Sequence, residues 1–444
     1  MRRSRVLLFA LFLSASTLAP AAGSVIQATP ETYLDRVRTL RAGDTLELAP
    51  GQYRDGLRIH HLAGTAQAPI VIRGPTGSQP ALFVARSGAN TVSIVDSSHI
   101  HIRDLTLDGR GIAVDAVKAE GHASYAHHIT LENLTIVGHG ASQQNVAIST
   151  KCPAWGWIIR GNRIHAAGTG MYLGNSDGSA PFYAGVIEYN LVTDPRGYAI
   201  QIKHQRARPA LDIAPRGRHV TVIRHNVLSK AAGGSPGPAA RPNLLLGHWP
   251  LEGEGSQDRY LVYGNFIADN PHEALIQAEG NVAIYNNVLR NPYGPGIHIQ
   301  PHNDVPREVS ILLNTIIASG NPIVVRMSEG PSTHTQVVAS NAVFSAHAIS
   351  GKRQEHNAIF RYEEAVALLS AGEQNRPFDP YPRDERLRCP RIDAQLIAAL
   401  PEAACDFNGR RRTIAYCGAY AGSGRNPGWL PALRIKPRTI CARQ

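Results

Sequence analysis

The chain is poor in the residues that conventional globular cores use most. Aromatics make up 6% of its 444 residues, with only four Trp and three Met. Cysteine is scarce as well, and unevenly placed. Cys389, Cys405, Cys417 and Cys441 crowd the C-terminal tail, while Cys152 stands alone. The four contain no C-x2-C pair, which argues against a zinc knuckle and for two disulfides, with three pairings open. Cys152 reads as a packed thiol. After residue 22 no apolar run is long enough to cross a bilayer, so no membrane insertion is expected. No helical phrase separates the strand-like segments, which excludes a βαβ architecture. No Asp/Glu cluster has a recognisable calcium-ligand spacing. Ca2+ is the one cofactor left open, and no other is called for.

What the chain does have is a repeat. An apolar pair, a polar anchor and a second apolar strand recur at spacings of 22 to 39 residues, mostly close to 28. The anchors are Asp104, Asn133, Asn162, Asn190, Asn226, Asn265, Asn287, Asn314 and Asn341. A strand-only period of this length implies a coiled sheet whose turns stack around a shared interior. The Asn residues would then form a buried amide ladder and be structural. Glycine (41 residues) suits the narrow turns. Two turns are expanded, Asn190 to Asn226 and Asn226 to Asn265, and are expected to form loops walling a groove.

The ends are of different character. Residues 1–22 carry a basic start, a short apolar stretch and small residues, the pattern of a signal peptide, so export to the periplasm or medium is expected. Thr29-Pro30-Glu31 predicts a helix over Thr32–Leu40 that plugs the open end of the coil. The coil is expected over residues 23–350, followed by a capping tail, residues 351–444, packed on the last turns. That tail carries one helix at Tyr362–Leu369 and a triplet, Arg410, Arg411 and Arg412, expected to decorate solvent. The formal charge is +11. In an exported monomer such charge favours an acidic polysaccharide over nucleic acid.

From Asp44 to Pro75 the phrase LAPGQYRDG…GTAQAPIVIRGP resembles the first turns of right-handed parallel β-helix (pectin-lyase-like) proteins, in particular alginate-lyase and chondroitinase-B-type polysaccharide lyases. The tail phrase CDFNGRRR…AYCGAYAG is similar to one found in these secreted proteins. The resemblance implies an all-β, single-stranded right-handed parallel β-helix of about ten turns. It implies β-elimination on a uronate polymer, with Lys203 in the place of the lyase lysine. The Arg that those lyases carry on the next turn is not in LLLGHW, where His248 is the nearest polar residue. A second phrase, YGPGIHIQPHND, is similar to the motif of mannuronan C5-epimerases at Tyr293, Pro301 and His302, with Gln300 where that motif has Asp. Gly138-His139-Gly140 and Gln201-Ile202-Lys203 are similar to phrases of pectin-hydrolysing β-helices, but the paired Asp motif is missing.

Strand alternation aligns the second strand of each turn. Ile200, Ile202, Ile297 and Ile299 are expected inside. One outer face should gather Tyr172, Asp177, Gln201, Lys203, His204, His248, Trp249, Gln277, Glu279, His298, Gln300, His302, Asp304 and Arg326. Elimination needs cations on the C6 carboxylate, a base for the C5 proton and an acid for the leaving oxygen. Lys203 and Arg326 could hold the carboxylate, His298 or His302 could be the base, and Tyr172 or His204 the acid. Asp177, Gln201, His248, Trp249, Gln277, Glu279, Gln300 and Asp304 would contact substrate. The histidine pairs His60–His61 and His127–His128 are expected at the surface. A glycan-binding module without catalysis is the rival, but such a module favours exposed aromatic platforms.

Overall fold

A computed structural model describes residues 23–209, 211–326, 334–370 and 377–441. The expected leader, residues 1–22, lies outside them. The strands form three long sheets of 13, 12 and 10 strands. Every pairing within them is parallel, each strand lying beside its counterpart one turn later, as Ile158–Arg160 does beside Val186–Glu188. Each turn visits all three sheets once. Ile158–Arg160, Arg163–His165 and Thr169–Leu173 follow one another into the 13-, 12- and 10-stranded faces. This is a parallel β-helix, and parallel crossovers of this kind are right-handed.

Aliphatic stacks hold the turns together. Ile102, Leu131, Ile159, Ile187 and Ile223 are in register on consecutive turns and wholly buried. Each such side chain contributes about 1.5–3 kcal/mol by leaving water. No single turn could bury them, which is why the unit repeats.

One corner carries the anchors, in two adjacent columns. From Asp104 onward the outer column has left-handed backbone on successive turns: Asp104, Asn133, Gly161, Tyr189, His225 and Gly264 all have φ between 53° and 67°. The next residue turns inward. There Asn162, Asn190, Asn226, Asn265, Asn287, Asn314, Asn341 and Asn357 form one ladder, each Nδ2 donating to the next Oδ1 at 2.9–3.0 Å. The second amide proton goes to a carbonyl of the preceding turn, as from Asn190 to Ile159 at 2.8 Å. The ladder is as expected except at its start. Asn133 lies in the outer column, exposed, and donates to Asp104 Oδ1 at 2.6 Å. The ladder position on that turn belongs to Leu134, whose backbone N–H reaches Asn162 Oδ1. Asn357, beyond the expected series, is its last rung.

The helix Tyr33–Arg38 closes the first turn, with Tyr33 and Val37 buried and Tyr33 OH donating to Gly56 O at 2.8 Å. The tail contains the expected helical segment as Tyr362–Glu364 and Ala365–Leu368. Its disulfides join Cys389 to Cys417 and Cys405 to Cys441, one of the three open pairings. Cys152 is a buried free thiol. The tail does more than cover the last turns: it runs back along the left-handed corner. Lys436 Nζ donates to Gly264 O at 2.9 Å, and Arg438 lies 3.9 Å from Glu132. Arg412 corrects the solvent reading of the Arg triplet. Its guanidinium donates to Asn286 Oδ1 (2.7 Å) and Gly418 O (3.0 Å), and burial lowers its pKa to about 10.

Among the described residues no helix is long and apolar enough to cross a membrane.

Candidate functional site

The tail lies along one corner, and the 10-stranded face presents a run of side chains outward. Its central outward ladder reads Lys118, Ser149, Tyr172, Gln201, Leu245, Gln277, His298 and Val324 in successive register. Two residues further along each strand runs a second ladder: Lys151, Gly174, Lys203, Gly247, Glu279, Gln300 and Arg326. Backbone hydrogen bonds between neighbouring turns continue through these positions. Glycine is required at Gly247, where a Cβ would lie 2.1 Å from the backbone nitrogen of His204.

Most of the predicted residues do share this face, but they do not form one site. Turns stack about 4.8 Å apart. Lys203 and Arg326 are four turns apart, about 19 Å, too far to hold one carboxylate together. Lys203 and His298 are three turns apart and cannot serve one sugar unit either. Trp249 is corrected outright: it is 1% exposed and stacks on Tyr260 at 4.3 Å in the core. Gln201 lies on the ladder but is covered, at 2% exposed. Asp177 caps its own turn, accepting from Ser179 N and Oγ. Asp304 accepts from Val305 N.

Two groups remain. The first centres on Tyr172. Lys151 Nζ lies 3.4 Å above the centroid of its ring and Lys203 Nζ lies 5.8 Å away. The Tyr172 hydroxyl is 2.7 Å from Ser176 Oγ. Burial pushes Lys151 down to about 8; Asp115 opposes the shift and the charges of Lys118 and Lys203 add to it. Lys203 is lowered too, by burial first, with Glu279 opposing and Arg241 adding. The Arg241 guanidinium donates to Pro238 O and Ala240 O and lies 5.9 Å over the Tyr198 ring, near enough for its charge to act on Lys203. It enters from the expanded loop just before Leu244–Leu246.

The second group lines a cleft of about 390 Å³ on the following turns, with Tyr198, Arg241, Glu273, Gln277, Glu279, Gln300 and His302 among its walls. Glu279 accepts from the backbone N–H of Asn303 (2.9 Å) and Asp304 (3.3 Å), yet burial raises its pKa against those bonds and against His248 and His302. His204 and His248 stack at 5.5 Å beside it. His298 is lowered by burial, and its Nε2 has no hydrogen-bond partner among the described residues. Arg326 and His302 are exposed. Tyr293, of the epimerase-like phrase, is exposed at 58% on the loop before Ile297–Ile299.

The expanded turns partly meet expectation. The residues before Leu244 reach the cleft. The others dock on each other away from it, through buried Arg208 paired with Asp258 and lying 4.1 Å over Tyr183.

Sequence reasoning missed Lys151, Tyr198, Arg241 and Glu273. Alternation through Val146–Thr150 would have placed Lys151 outward, two residues after Ser149. The other three stand on turns preceding strands, where no period flags them.

No family model matches the chain, and no curated protein matches it. Among solved structures it is similar to an alginate lyase from Paenibacillus (16% identity, 62% of this chain and 98% of that one, TM-score 0.44). It is also similar to a lacto-N-biosidase from Eubacterium ramulus (13%, 76% and 68%, TM-score 0.48). A pectate lyase aligns at 8% identity over 76% of this chain and 80% of that one, with a TM-score of 0.46. The fold rests on the strand pairing above, and any chemistry must rest on the side chains.

Proposed function

We propose that the 10-stranded face binds an acidic, uronate-containing polysaccharide and cleaves it by β-elimination around Tyr172. The observation that carries this is the convergence of Lys151 and Lys203 on one tyrosine ring, with both ammonium groups pushed toward neutrality. Lys203 and Arg241 neutralise the C6 carboxylate and so acidify the C5 proton. Lys151, deprotonated in useful amounts near pH 8, takes that proton. The C4–O bond breaks, a C4–C5 double bond forms, and the Tyr172 hydroxyl protonates the leaving oxygen. The cleft around Glu279 and His302 holds the neighbouring sugars of the same chain.

The test is the ultraviolet absorbance of the new double bond, over a panel of alginate, pectate, chondroitin, heparin and hyaluronan, with and without Ca2+. A rise on one polymer, lost in Lys203→Ala, supports elimination and names the substrate. A flat trace on all of them sinks the reading. NMR of the same mixtures then separates C5 epimerisation, which shares the proton-abstraction step, from plain binding.

A further inference from the structure

Away from the groove, at the start of the 13-stranded face, three imidazoles meet. His99 and His128 lie at equivalent positions on consecutive turns, between the register pairs Ser98–His127 and Ile100–Ile129. Both have left-handed backbone, φ 53° and 52°. Their rings are parallel, with centroids 4.4 Å apart. His127 turns its ring nearly perpendicular to that of His128, and the two Nδ1 atoms are 2.8 Å apart. One nitrogen from each of the three residues lies within 4.8 Å of the other two. The surroundings hold this arrangement. His127 stacks on Trp155 at 4.5 Å. At the next turn Gly156 leaves room that a Cβ would fill, 2.7 Å from the His128 ring.

Ring stacking alone accounts for His127 on Trp155 and for His99 on His128. The facing His127 and His128 nitrogens share an N–H···N hydrogen bond, and one nitrogen of His99 stands within 4.8 Å of both residues' ligand atoms.

We propose that His99, His127 and His128 form a three-imidazole site for a divalent d-block cation of the zinc class. Metal–nitrogen bonds of about 2.0–2.1 Å in tetrahedral geometry set neighbouring nitrogens about 3.3 Å apart, so the His127–His128 pair would open from 2.8 Å while the wider spacings, within 4.8 Å, would close. The donor set is all nitrogen, which suits Zn2+, Co2+, Ni2+ or Cu2+ and not Ca2+ or Mg2+. Three protein ligands leave a fourth position for water. The ion would also clip two consecutive turns together, independently of any activity in the groove.

The test uses the full chain, stripped with a chelator and dialysed against Zn2+ or Co2+ in the presence of excess Ca2+. One ion per chain is expected, with the visible absorption of four-coordinate Co2+. His127→Phe and His128→Phe keep a ring in place and should each weaken binding at least tenfold, whereas the exposed-site control His347→Phe should not. Zn2+ should shift three imidazole signals in the NMR spectrum of the unaltered chain, a readout that needs no variant to fold. Absence of one-to-one binding, binding that survives both substitutions, or imidazole signals that do not move would each overturn the site.

Discussion

Two columns of polar residues run along this coil, and they obey opposite rules. In the corner ladder every rung from Asn162 to Asn357 is the same residue making the same bonds. On the open face no two neighbouring rungs agree: Lys151, Gly174, Lys203, Gly247 and Glu279 follow one another. Repetition satisfies buried amides, because each needs what its neighbour needs. Variation creates chemistry, because a reacting sugar needs different groups on different sides. A repeated polar residue in a solenoid therefore reads as scaffold, and a break in the repetition on an exposed face reads as a site.

The largest effect should come from breaking the variable column. Lys203→Ala should lower the elimination rate about 10²–10⁴-fold, the range for removing a charge-stabilising or acid–base group. Its unfolding midpoint should stay close to that of the parent chain. Comparable losses of rate and of stability would place Lys203 with the scaffold.

The same column should show itself in a pH profile. Lys151 acts as a base only when neutral, and burial brings its pKa to about 8. The rate on polymer should therefore climb as pH rises through about 8 and fall again at higher pH, as Lys203, itself lowered from 10.5, loses the charge that holds the carboxylate. A profile that already falls as pH rises through about 8 would remove Lys151 from the role of base.

Next in size is a cut through the repeated column. Asn265→Ala strands the Asn226 amide and backbone N–H on one side and leaves the Ile223 and Tyr263 carbonyls without its Nδ2 on the other. Buried unsatisfied groups cost about 1–3 kcal/mol each, and relaxation recovers part of that. A loss of about 2–4 kcal/mol in denaturant unfolding is expected, with activity per folded molecule retained. A loss below ~0.5 kcal/mol would mean that the ladder is incidental.

Where the tail crosses the corner, a smaller, pH-dependent effect is expected. Lys436 Nζ is buried against Gly264 O, Phe407 O and His225 Nδ1, with Glu402, Arg224, Tyr189 and Tyr263 around the same cluster. Burial lowers Lys436 from 10.5 to about 7. Between those values the unfolded chain holds a proton that the folded chain does not, so stability rises with pH across the window. Below about 7 both states are protonated and the slope vanishes. Lys436→Met should abolish the slope, about 1–3 kcal/mol in total, in unfolding curves taken from pH 7 to 10. An unchanged slope would locate the titration elsewhere.

How far the sequence spoke follows from the same contrast. The coil was legible because its turns repeat: the inward Ile200, Ile202, Ile297 and Ile299 are all fully buried, as alternation requires. Alternation gave the outward face but not its covering, so Trp249 and Gln201 look accessible in sequence and are not. Spacing along the chain also hides distance along the coil, which separated Lys203 from Arg326. Arg241 could not be read at all, since its place depends on how one expanded turn folds back over the face.

The smallest predicted effect is the sharpest test of the corner. Asn133 and Asn162 occupy matching phrases, LENLTIVG and IRGNRIHA, yet one side chain points out and the other in. The difference is one residue of register: Asn133 takes the left-handed position, and Asn162 follows Gly161, which takes it instead. Asn133→Ala removes the exposed bond to Asp104 and a long one from Arg163 (3.4 Å), and introduces a residue less tolerant of positive φ. These bonds are worth little in water, so the cost should stay near or below ~1 kcal/mol, most of it backbone strain. Asn133→Gly relieves that strain and should be close to neutral. Asn162→Ala, by contrast, should approach the cost of Asn265→Ala. If Asn133→Gly proves as damaging as Asn162→Ala, then phrase and not register decides which asparagines hold the coil together.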